Sequence, residues 1–400
     1  MSHRVDANLL AELKEYGDIN VEACFNCGNC TAICPLSTED GSFPRRMIRY
    51  AQVGMRDELL GSTELWMCYY CGDCSETCPR QAEPGEFMAA TRRYAIASYD
   101  RLGLAKLLYT SPVLATVFLV LLAVLIGLFM YTRHGPMTTD SLALFEFIPD
   151  KLIHDLGLAA IVFVGLTGLL GVATMVSRTA RANGLTKESI FGENSLRYNW
   201  LGALWNALAV EGLGQTRYRQ DCEADEPRPP WYLQKWFIHA SVMWGFLGLL
   251  VATSLDYALA LLGIKETGTW VPIWYPVRLL GTVAGMFLVY GTSVAIVKRI
   301  RKIDRAFAYS SMSDWAFLVL MWLSGVSGFV LELALYLPRA PLWGYWMFLF
   351  HVAVAMEMVL LLPFTKFAHA IYRIVALFIY SLKPMPKTKV AGAEGLVTGS

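Results

Sequence analysis

Two cysteine runs constrain the fold of this chain more than any other feature of its 400 residues. Residues 24–35 read CFNCGNCTAICP and residues 68–79 read CYYCGDCSETCP, so both runs have the spacing C-x2-C-x2-C-x3-C-P. The first three thiolates of such a run can wrap one face of an iron–sulfur cubane, and the fourth, beside the proline, usually ligates the other cluster in two-cluster proteins. The spacing therefore predicts two [4Fe–4S] clusters.

The eight cysteines of these runs are predicted to bind the clusters crosswise, with the last thiol of each run completing the other site. One cluster takes Cys24, Cys27, Cys30 and Cys78. The other takes Cys68, Cys71, Cys74 and Cys34. Zinc is the alternative metal, but a tetrahedral zinc site usually draws paired cysteines from separated knuckles. The ninth cysteine, Cys222, has no neighbouring thiol or histidine to complete a site and is predicted to be a free reduced thiol.

The segment between the runs, residues 43–67, has apolar residues at helical spacing and few β-branched residues, which predicts a helical scaffold. Twin runs joined by such a segment resemble the α-helical ferredoxins of the family to which the heterodisulfide reductase C subunit belongs, over residues 20–95 or so. The resemblance implies one-electron relay without catalysis. Because the chain contains no cysteine-rich CCG module of the disulfide-reducing partner proteins, substrate chemistry is expected on another polypeptide of the complex.

From Leu107 onward, long apolar runs alternate with short charged stretches, and 55% of the whole chain is hydrophobic. Six segments reach the length of about 20 apolar residues that a membrane-spanning helix needs. They are residues 107–131, 152–176, 236–262, 277–297, 315–336 and 343–372. The sequence therefore predicts an all-α protein. Its parts are an α-helical two-cluster ferredoxin head (residues 1–106), a six-helix transmembrane bundle (107–380) and a flexible tail (381–400).

The distribution of Lys and Arg predicts how the bundle is oriented. The connections after the second, fourth and sixth segments are rich in both, as in KRIRKIDR at residues 298–305, whereas the opposite loops hold few. Because positive loops stay in the cytoplasm, both termini are predicted to be cytoplasmic, in a multi-pass protein of the cytoplasmic membrane. Residues 1–17 lack the apolar core of a secretory signal, which agrees with this orientation.

Histidine is rare in this chain, so the positions of the membrane histidines are informative. His351 and His369 lie 18 residues apart in the sixth segment. On one continuous helix this spacing is five turns, which places both on one face, about 27 Å apart along the axis. Because a histidine buried in a membrane without a partner is costly, cofactor binding is the default interpretation, and two haem groups would fit across the bilayer.

Two stretches resemble the respiratory nitrate reductase gamma subunit family. Residues 350–369, FHVAVAMEMVLLLPFTKFAH, match its last helix, including the histidine pair, and residues 236–248, WFIHASVMWGFLG, match its earlier histidine-bearing helix. The resemblance implies that the bundle is of the cytochrome b type and holds haem b. In that family a second ligand follows the histidine of the earlier helix by ten residues. Here that position is Leu249, so one expected ligand is missing.

Depth in the membrane predicts how the histidines pair. His239 enters the third segment from the cytoplasmic side and His369 leaves the sixth toward it, so they are predicted to share one haem b. His351 lies in the outer half, where His154 is the nearest partner by depth for a second haem b, with His134 behind it in a loop. The alternative is that these are hydrogen-bonded core histidines without haem.

Carboxylates inside the apolar segments are candidate proton relays, because quinone chemistry couples electron transfer to proton transfer. The candidates are Glu357, Glu332 and Asp256, and Glu357 is the deepest of the three. The alternative for Glu357 is a carboxyl that stays neutral and is hydrogen-bonded within the bundle.

The head and bundle in one chain resemble the membrane-subunit family of quinone-interacting membrane-bound oxidoreductases. The resemblance implies menaquinone as an exchangeable substrate, cytoplasmic flavin and iron–sulfur partner subunits, and electron exchange with adenylylsulfate reductase in sulfate respiration. One alternative is the electron-transfer subunit of a heterodisulfide reductase or a sulfite-reduction complex. Another is a membrane anchor that carries a ferredoxin head without haem. No nucleic-acid partner is expected.

Overall fold

The computed structural model describes residues 5–37, 41–185, 199–222, 229–266, 268–303 and 307–382. Within these residues every regular element is a helix and no β-strand occurs, which confirms the predicted all-α class. The side chain of Cys222 and all but the first two residues of the predicted flexible tail lie outside the described residues.

The head is built from short helices, because the two cysteine runs and their turns interrupt the chain every few residues. Its helices are α1 (Leu9–Lys14), α2 (Asn29–Ile33), α3 (Arg45–Val53), α4 (Arg56–Gly61), α5 (Glu64–Met67), α6 (Asp73–Glu76) and α7 (Pro84–Tyr99). The helical scaffold predicted between the runs therefore consists of three helices, α3 to α5. Gly54 separates α3 from α4 with a φ of +81°, and a Cβ at this position would overlap the Asp6 carbonyl, so the turn requires glycine.

Six helices are long and apolar enough to cross a membrane, which confirms the predicted multi-pass bundle. They are α9 (Pro112–Tyr131), α11 (Asp150–Ala182), α14 (Lys235–Leu261), α15 (Pro276–Ile300), α16 (Met312–Leu335) and α17 (Leu342–Leu360). Shorter helices precede, connect or follow them: α8 (Leu104–Thr110), α10 (Leu144–Phe147), α12 (Trp200–Trp205), α13 (Thr216–Cys222) and α18 (Ala368–Ser381). Leu121 and Leu169 are more than half exposed on the outer faces, as expected of side chains that contact lipid.

Two predicted segments are each divided into two helices near a proline, and there the structure differs from the sequence prediction. The first segment, predicted over 107–131, begins as the separate helix α8 and restarts at Pro112, because a proline disfavours helical backbone at the preceding residue. The sixth, predicted as one helix over 343–372, ends at Leu360 and is followed by α18. Pro363 lies in the break, since it has no amide hydrogen to donate and its ring clashes with a preceding carbonyl in a helix.

The head packs directly against one end of the bundle. The side-chain amide of Asn183, just after α11, donates to the backbone carbonyl of Gly61 at 3.1 Å. The guanidinium of Arg373 in α18 donates to the backbone carbonyl of Trp66 at 2.7 Å. These contacts fall at the end of the bundle that the charge distribution assigns to the cytoplasm, so the cysteine runs lie next to the ends of membrane helices.

Helices α14 and α15 approach each other through glycine. A Cβ on Gly245 would lie 2.5 Å from the Leu288 amide nitrogen and 2.8 Å from the Ala284 carbonyl oxygen. Gly291 is equally tight, since its Cβ would lie 2.9 Å from the Val242 amide nitrogen. Small residues of this kind let backbones pack closely where no hydrophobic effect drives association inside the lipid.

Gly245→Ala is expected to destabilise the bundle by about 1–3 kcal/mol, because the added methyl must push the two helices apart. Thermal unfolding of the detergent-solubilised protein measures the effect. Gly165→Ala in α11 is the matched control, since a Cβ there meets nothing within 4 Å. Equal melting temperatures for the two variants would contradict the close packing of α14 on α15.

Candidate functional site

The two cysteine loops share one backbone geometry. Gly28 and Gly72 have φ values of +96° and +101°, and each precedes a one-turn helix, α2 or α6. Asn26 and Tyr70 are also left-handed, and each donates its amide hydrogen to the sulfur of the cysteine two residues earlier, at 3.4 Å in both loops. Hydrogen bonds to cluster sulfurs are one of the means by which a protein sets cluster potential, so the two loops offer similar surroundings.

The thiols of the head form two groups, and each group joins three cysteines of one run to the last cysteine of the other. The first group is Cys24, Cys27, Cys30 and Cys78, which line one cavity. The second group is Cys68, Cys71, Cys74 and Cys34: the first, second and fourth of these act more strongly on the Cys74 thiol than Cys30 of the first group does. This grouping supports the crosswise ligand assignment, which stays a prediction until the ligands are tested.

Each group supplies four thiols, which is the donor set of a [4Fe–4S] cluster. In the part of the chain that the structure describes, no three His, Cys, Asp or Glu side chains converge closely enough to ligate one metal ion. A zinc ion would draw its sulfurs to about 2.3 Å, whereas a cubane keeps its four thiolates farther apart.

His239 and His369 come close together at the end of the bundle that carries the head. His239 lies in the first turns of α14, His369 lies at the start of α18, and the two rings are within electrostatic range of each other. The Nδ1 hydrogen of His239 is donated to Gln215 Oε1 at 3.0 Å, which fixes the ring and leaves Nε2 free for a metal. An oriented imidazole with one free nitrogen is the form in which histidine ligates haem iron.

The break at Pro363 changes the predicted geometry of the histidine pair. Because His369 belongs to α18 and His351 to α17, the two rings do not lie on one face of a continuous helix, and the 27 Å axial spacing derived from that helix is wrong.

Trp66 is a functional candidate that sequence reasoning missed. Its side chain is fully buried, two residues before Cys68, and its ring centroid lies 5.8 Å from that of His369 and 5.2 Å from that of Tyr372. One aromatic side chain therefore separates the second thiol group from a histidine of the bundle. The available sequence signal was a tryptophan at the end of a helix, immediately before a cysteine run.

His351 has the same arrangement deeper in the bundle. Its Nδ1 shares a hydrogen bond with Ser327 Oγ at 2.8 Å. Because the Ser327 hydroxyl donates to the Ser324 carbonyl at 3.2 Å, its oxygen can accept from Nδ1, which would again leave Nε2 free. A Cβ on Gly328 would lie only 3.4 Å from the imidazole, so the ring packs against the backbone of α16. His154, its predicted partner, lies in α11 with its ring centroid 4.3 Å from that of Tyr257.

Helix α11 runs parallel to α17 and then to α18. The contacts between them show how deep His154 lies relative to His351. Gly157 packs against Met356, and Gly171 packs against Tyr372. His154 lies three residues before Gly157, and His351 lies five residues before Met356. At 1.5 Å per helical residue, the two histidines therefore differ in depth by about 3 Å. The pairing of these two histidines stays a prediction.

The three candidate proton relays have different surroundings. Glu332 pairs with Arg278, whose guanidinium nitrogens lie 2.8 and 3.1 Å from one carboxylate oxygen, and Asp256 pairs with Lys265 at 2.6 Å. Glu357 is 2% exposed, and its Oε1 has no hydrogen-bond partner among the described residues. Of the three, Glu357 is the one whose buried oxygen is available to another molecule.

Comparison with known protein families covers both parts of the chain. Residues 20–82 match the family described as 4Fe-4S dicluster domain. Residues 102–387, more than half of the chain, match the family described as citrate utilization protein B. The chain belongs to the citrate utilization protein B family. In this family member, an iron–sulfur electron-transfer head thus precedes the membrane helices.

The head of this citrate utilization protein B family member also resembles curated proteins of methanogens, which confirms the predicted resemblance to the C subunit of heterodisulfide reductase. It is 36% identical over 63 residues to the C subunit of the H(2):CoB-CoM heterodisulfide,ferredoxin reductase of Methanothermobacter thermautotrophicus, covering 16% of this chain and 34% of the relative. It is 41% identical over 49 residues to the iron-sulfur C subunit of the CoB--CoM heterodisulfide reductase of Methanopyrus kandleri, covering 12% of this chain and 26% of the relative. The chain thus spans about a third or less of the length of these relatives.

Paired cysteine substitutions distinguish crosswise ligation from ligation within each run. Cys24→Ala combined with Cys78→Ala is expected to leave about four iron atoms per chain, because both thiols serve one cluster. Cys24→Ala combined with Cys34→Ala is expected to leave almost none, because these thiols serve different clusters. Iron and acid-labile sulfide analysis of the purified protein measures both.

Cys222→Ala is the control for these variants and should keep about eight iron atoms per chain. The reverse pattern, with four iron atoms in the Cys24/Cys34 pair and none in the Cys24/Cys78 pair, would show that each run binds its own cluster.

Proposed function

We propose that this chain conducts electrons between menaquinone in the membrane and cytoplasmic redox subunits, by way of haem b in the bundle and two [4Fe–4S] clusters in the head. The observation that carries the proposal is the contact of the His369 imidazole with buried Trp66, which precedes Cys68 of the second thiol group by two residues. A haem held by His369 and a cluster held by that thiol group would form a route for single electrons through this contact.

Haem b is proposed at two levels of the bundle. His239 and His369 hold the one nearer the head, and His351 with His154 holds the other. Bound haem b supplies a one-electron carrier inside the membrane. Gln215 and Ser327 would orient the ligands, because hydrogen bonds from their oxygens to the Nδ1 atoms would leave each Nε2 available to iron.

Glu357 is the proposed proton acceptor for quinol oxidation. Its carboxyl is buried in α17, six residues after His351, and one oxygen lacks a hydrogen-bond partner in the described part of the chain. A buried carboxyl is costly unless it serves a function or finds a partner, and a quinol hydroxyl provides one. Glu332 and Asp256, which are paired with cations, are weaker candidates for the same path.

The cytoplasmic partner is proposed to dock beside the first thiol group. Cys27 is exposed there, and Phe25 and Ile33 keep 60% and 46% of their surface exposed. Arg45 and Arg49 line the adjoining surface, so the face combines apolar and positive character. Flavin and iron–sulfur subunits that serve adenylylsulfate reductase are the partners proposed from the resemblance to quinone-interacting oxidoreductases.

The family description favours a second candidate for the soluble partner, an enzyme of citrate utilization. The likeness of the head to the C subunit of heterodisulfide reductase makes a heterodisulfide reductase complex the third. Purification of the native complex and mass spectrometry of its other components separates the three, because each predicts a different soluble enzyme bound to the same membrane chain.

His239→Ala and His369→Ala are each expected to remove the same haem b, so the double variant should lose no more haem than either single variant. Pyridine haemochrome analysis gives the content, and His134→Ala in the exposed loop is the control. Additive losses would contradict a shared site. An unmodified protein with no haem at all would favour the anchor without haem.

Glu357→Gln is expected to slow the reduction of the bundle by a menaquinol analogue at least about tenfold, because the amide cannot accept the quinol proton. Stopped-flow spectroscopy at the haem α-band measures the rate in the purified protein. Glu146→Gln, at an exposed carboxylate, is the control. An unchanged rate in Glu357→Gln would remove this residue from the proton path.

A further inference from the structure

The junction of head and bundle gathers positive charge around two histidines. The charged side chains that act most strongly on His369 are Arg92, Arg373 and Lys366. Arg373 and Lys366 also act on His239. Cations thus surround the place where the two imidazoles approach each other.

Among the described residues, carboxylates balance only part of this charge. Asp314 Oδ1 lies 2.7 Å from the Lys366 ammonium, but Oδ2 of the same carboxylate faces Arg299 at 3.6 Å and Arg93 at 3.7 Å. One buried carboxylate is therefore shared among three cations. Arg93 has a second partner in Glu86 at 2.9 Å, which leaves Lys366 and Arg299 dependent on Asp314.

Arg92 and Arg373 have no carboxylate within ion-pair distance in the part of the chain that the structure describes; the carboxylate that acts on Arg373 is that of Glu211, which already pairs with Arg217 at 3.6 Å. Arg373 donates to the Trp66 carbonyl and stacks 4.7 Å from the Tyr69 ring centroid, whereas Arg92 makes a 3.4 Å contact with the Met88 carbonyl. A cation in a protein interior is costly unless an anion accompanies it. The junction therefore calls for negative charge from another molecule.

Lys366 shows where that molecule would lie. It belongs to the connection between α17 and α18, outside the spans, where surrounding protein lowers the pKa of its ammonium by desolvation. Its side chain is nevertheless 45% exposed, while that of Asp314 is 8% exposed. The exposed part of the lysine is therefore accessible to another molecule, three residues from His369 in the chain.

We propose that Lys366, Arg92 and Arg373 form an anion site that binds the carboxylate groups of the haem held by His239 and His369. This inference rests on the proposed function, since it requires a haem at that pair. Haem b carries two propionate carboxylates on one edge. Their charge would offset the surplus cations at the junction and would point that edge toward the head.

The test compares haem b with its dimethyl ester, which lacks the two negative charges. Full-length His351→Ala protein, in which only the His239/His369 site is expected to remain, is depleted of haem and titrated with each compound by Soret absorbance. The free acid is expected to bind roughly tenfold more tightly than the ester, because charge-assisted hydrogen bonds are lost with the ester. Adding Lys366→Met should shrink this preference to near unity, and Lys366→Arg should restore it.

Lys106→Met is the matched control, because that lysine is 63% exposed and pairs with Glu15 at 3.8 Å. It should keep the full preference for the free acid. Arg373→Gln and Arg92→Gln should each reduce the preference in part. In holoprotein the midpoint potential of the haem should fall in Lys366→Met, because a nearby positive charge favours the reduced form.

The outcomes separate this inference from the proposed function. The anion site would be contradicted if Lys366→Met, Arg92→Gln and the unmodified protein all preferred the free acid to the same extent. The proposal that this histidine pair binds haem would still stand. Failure of the unmodified protein to bind either compound would overturn the haem proposal itself. If Lys366→Met does not fold, the comparison of Lys366→Arg with the Arg92→Gln and Arg373→Gln variants decides the question.

Discussion

The packing of Trp66 between the head and the bundle is the contact on which the rest of this molecule depends. The side chain is fully buried, and its ring is tilted against Tyr99 of the head and against Tyr372 and His369 of α18. Burial of an aromatic side chain of this size contributes on the order of 2–3 kcal/mol, and several aromatic neighbours add to it. The backbone carbonyl of the same residue is held by Arg373. A redox head that was merely tethered to a bundle would need no such contact.

Ion pairs at the same junction also hold the head on the bundle. Asp314 begins α16 through a capping box with Ser311 and faces cations from the head and from the connection after α17. Because breaking a buried ion pair leaves an unpaired charge, this arrangement resists separation of the two parts. The carboxylates of the proposed haem would offset part of the positive charge at this junction, which would couple cofactor binding to the packing of the head on the bundle.

Local features of the sequence predicted a large part of this fold. The spacing of the cysteine runs and the apolar length of the spans carry their information within a few dozen residues, so the all-α class and six spanning helices followed directly. The end of the sixth helix could not be predicted, although the sequence contains Pro363. A proline bends some membrane helices and ends others, and the neighbouring residues decide which. Because of that break, His351 and His369 lie on two separate helices and not on one face of a single helix.

Long-range contacts were beyond sequence reasoning. The hydrogen bond between Gln215 and His239 joins the residue before α13 to α14, and the sharing of Asp314 among three cations joins the head to the bundle. Neither contact leaves a periodic pattern in the sequence. The central claim is that electrons pass between bundle and head through this junction. Its most direct test is the reoxidation of dithionite-reduced protein by a menaquinone analogue, followed at the cluster absorbance in unmodified protein and in His369→Ala. We expect rapid cluster reoxidation in the unmodified protein. In His369→Ala, whose clusters remain intact, we expect a much lower reoxidation rate. Equal rates would contradict the central claim.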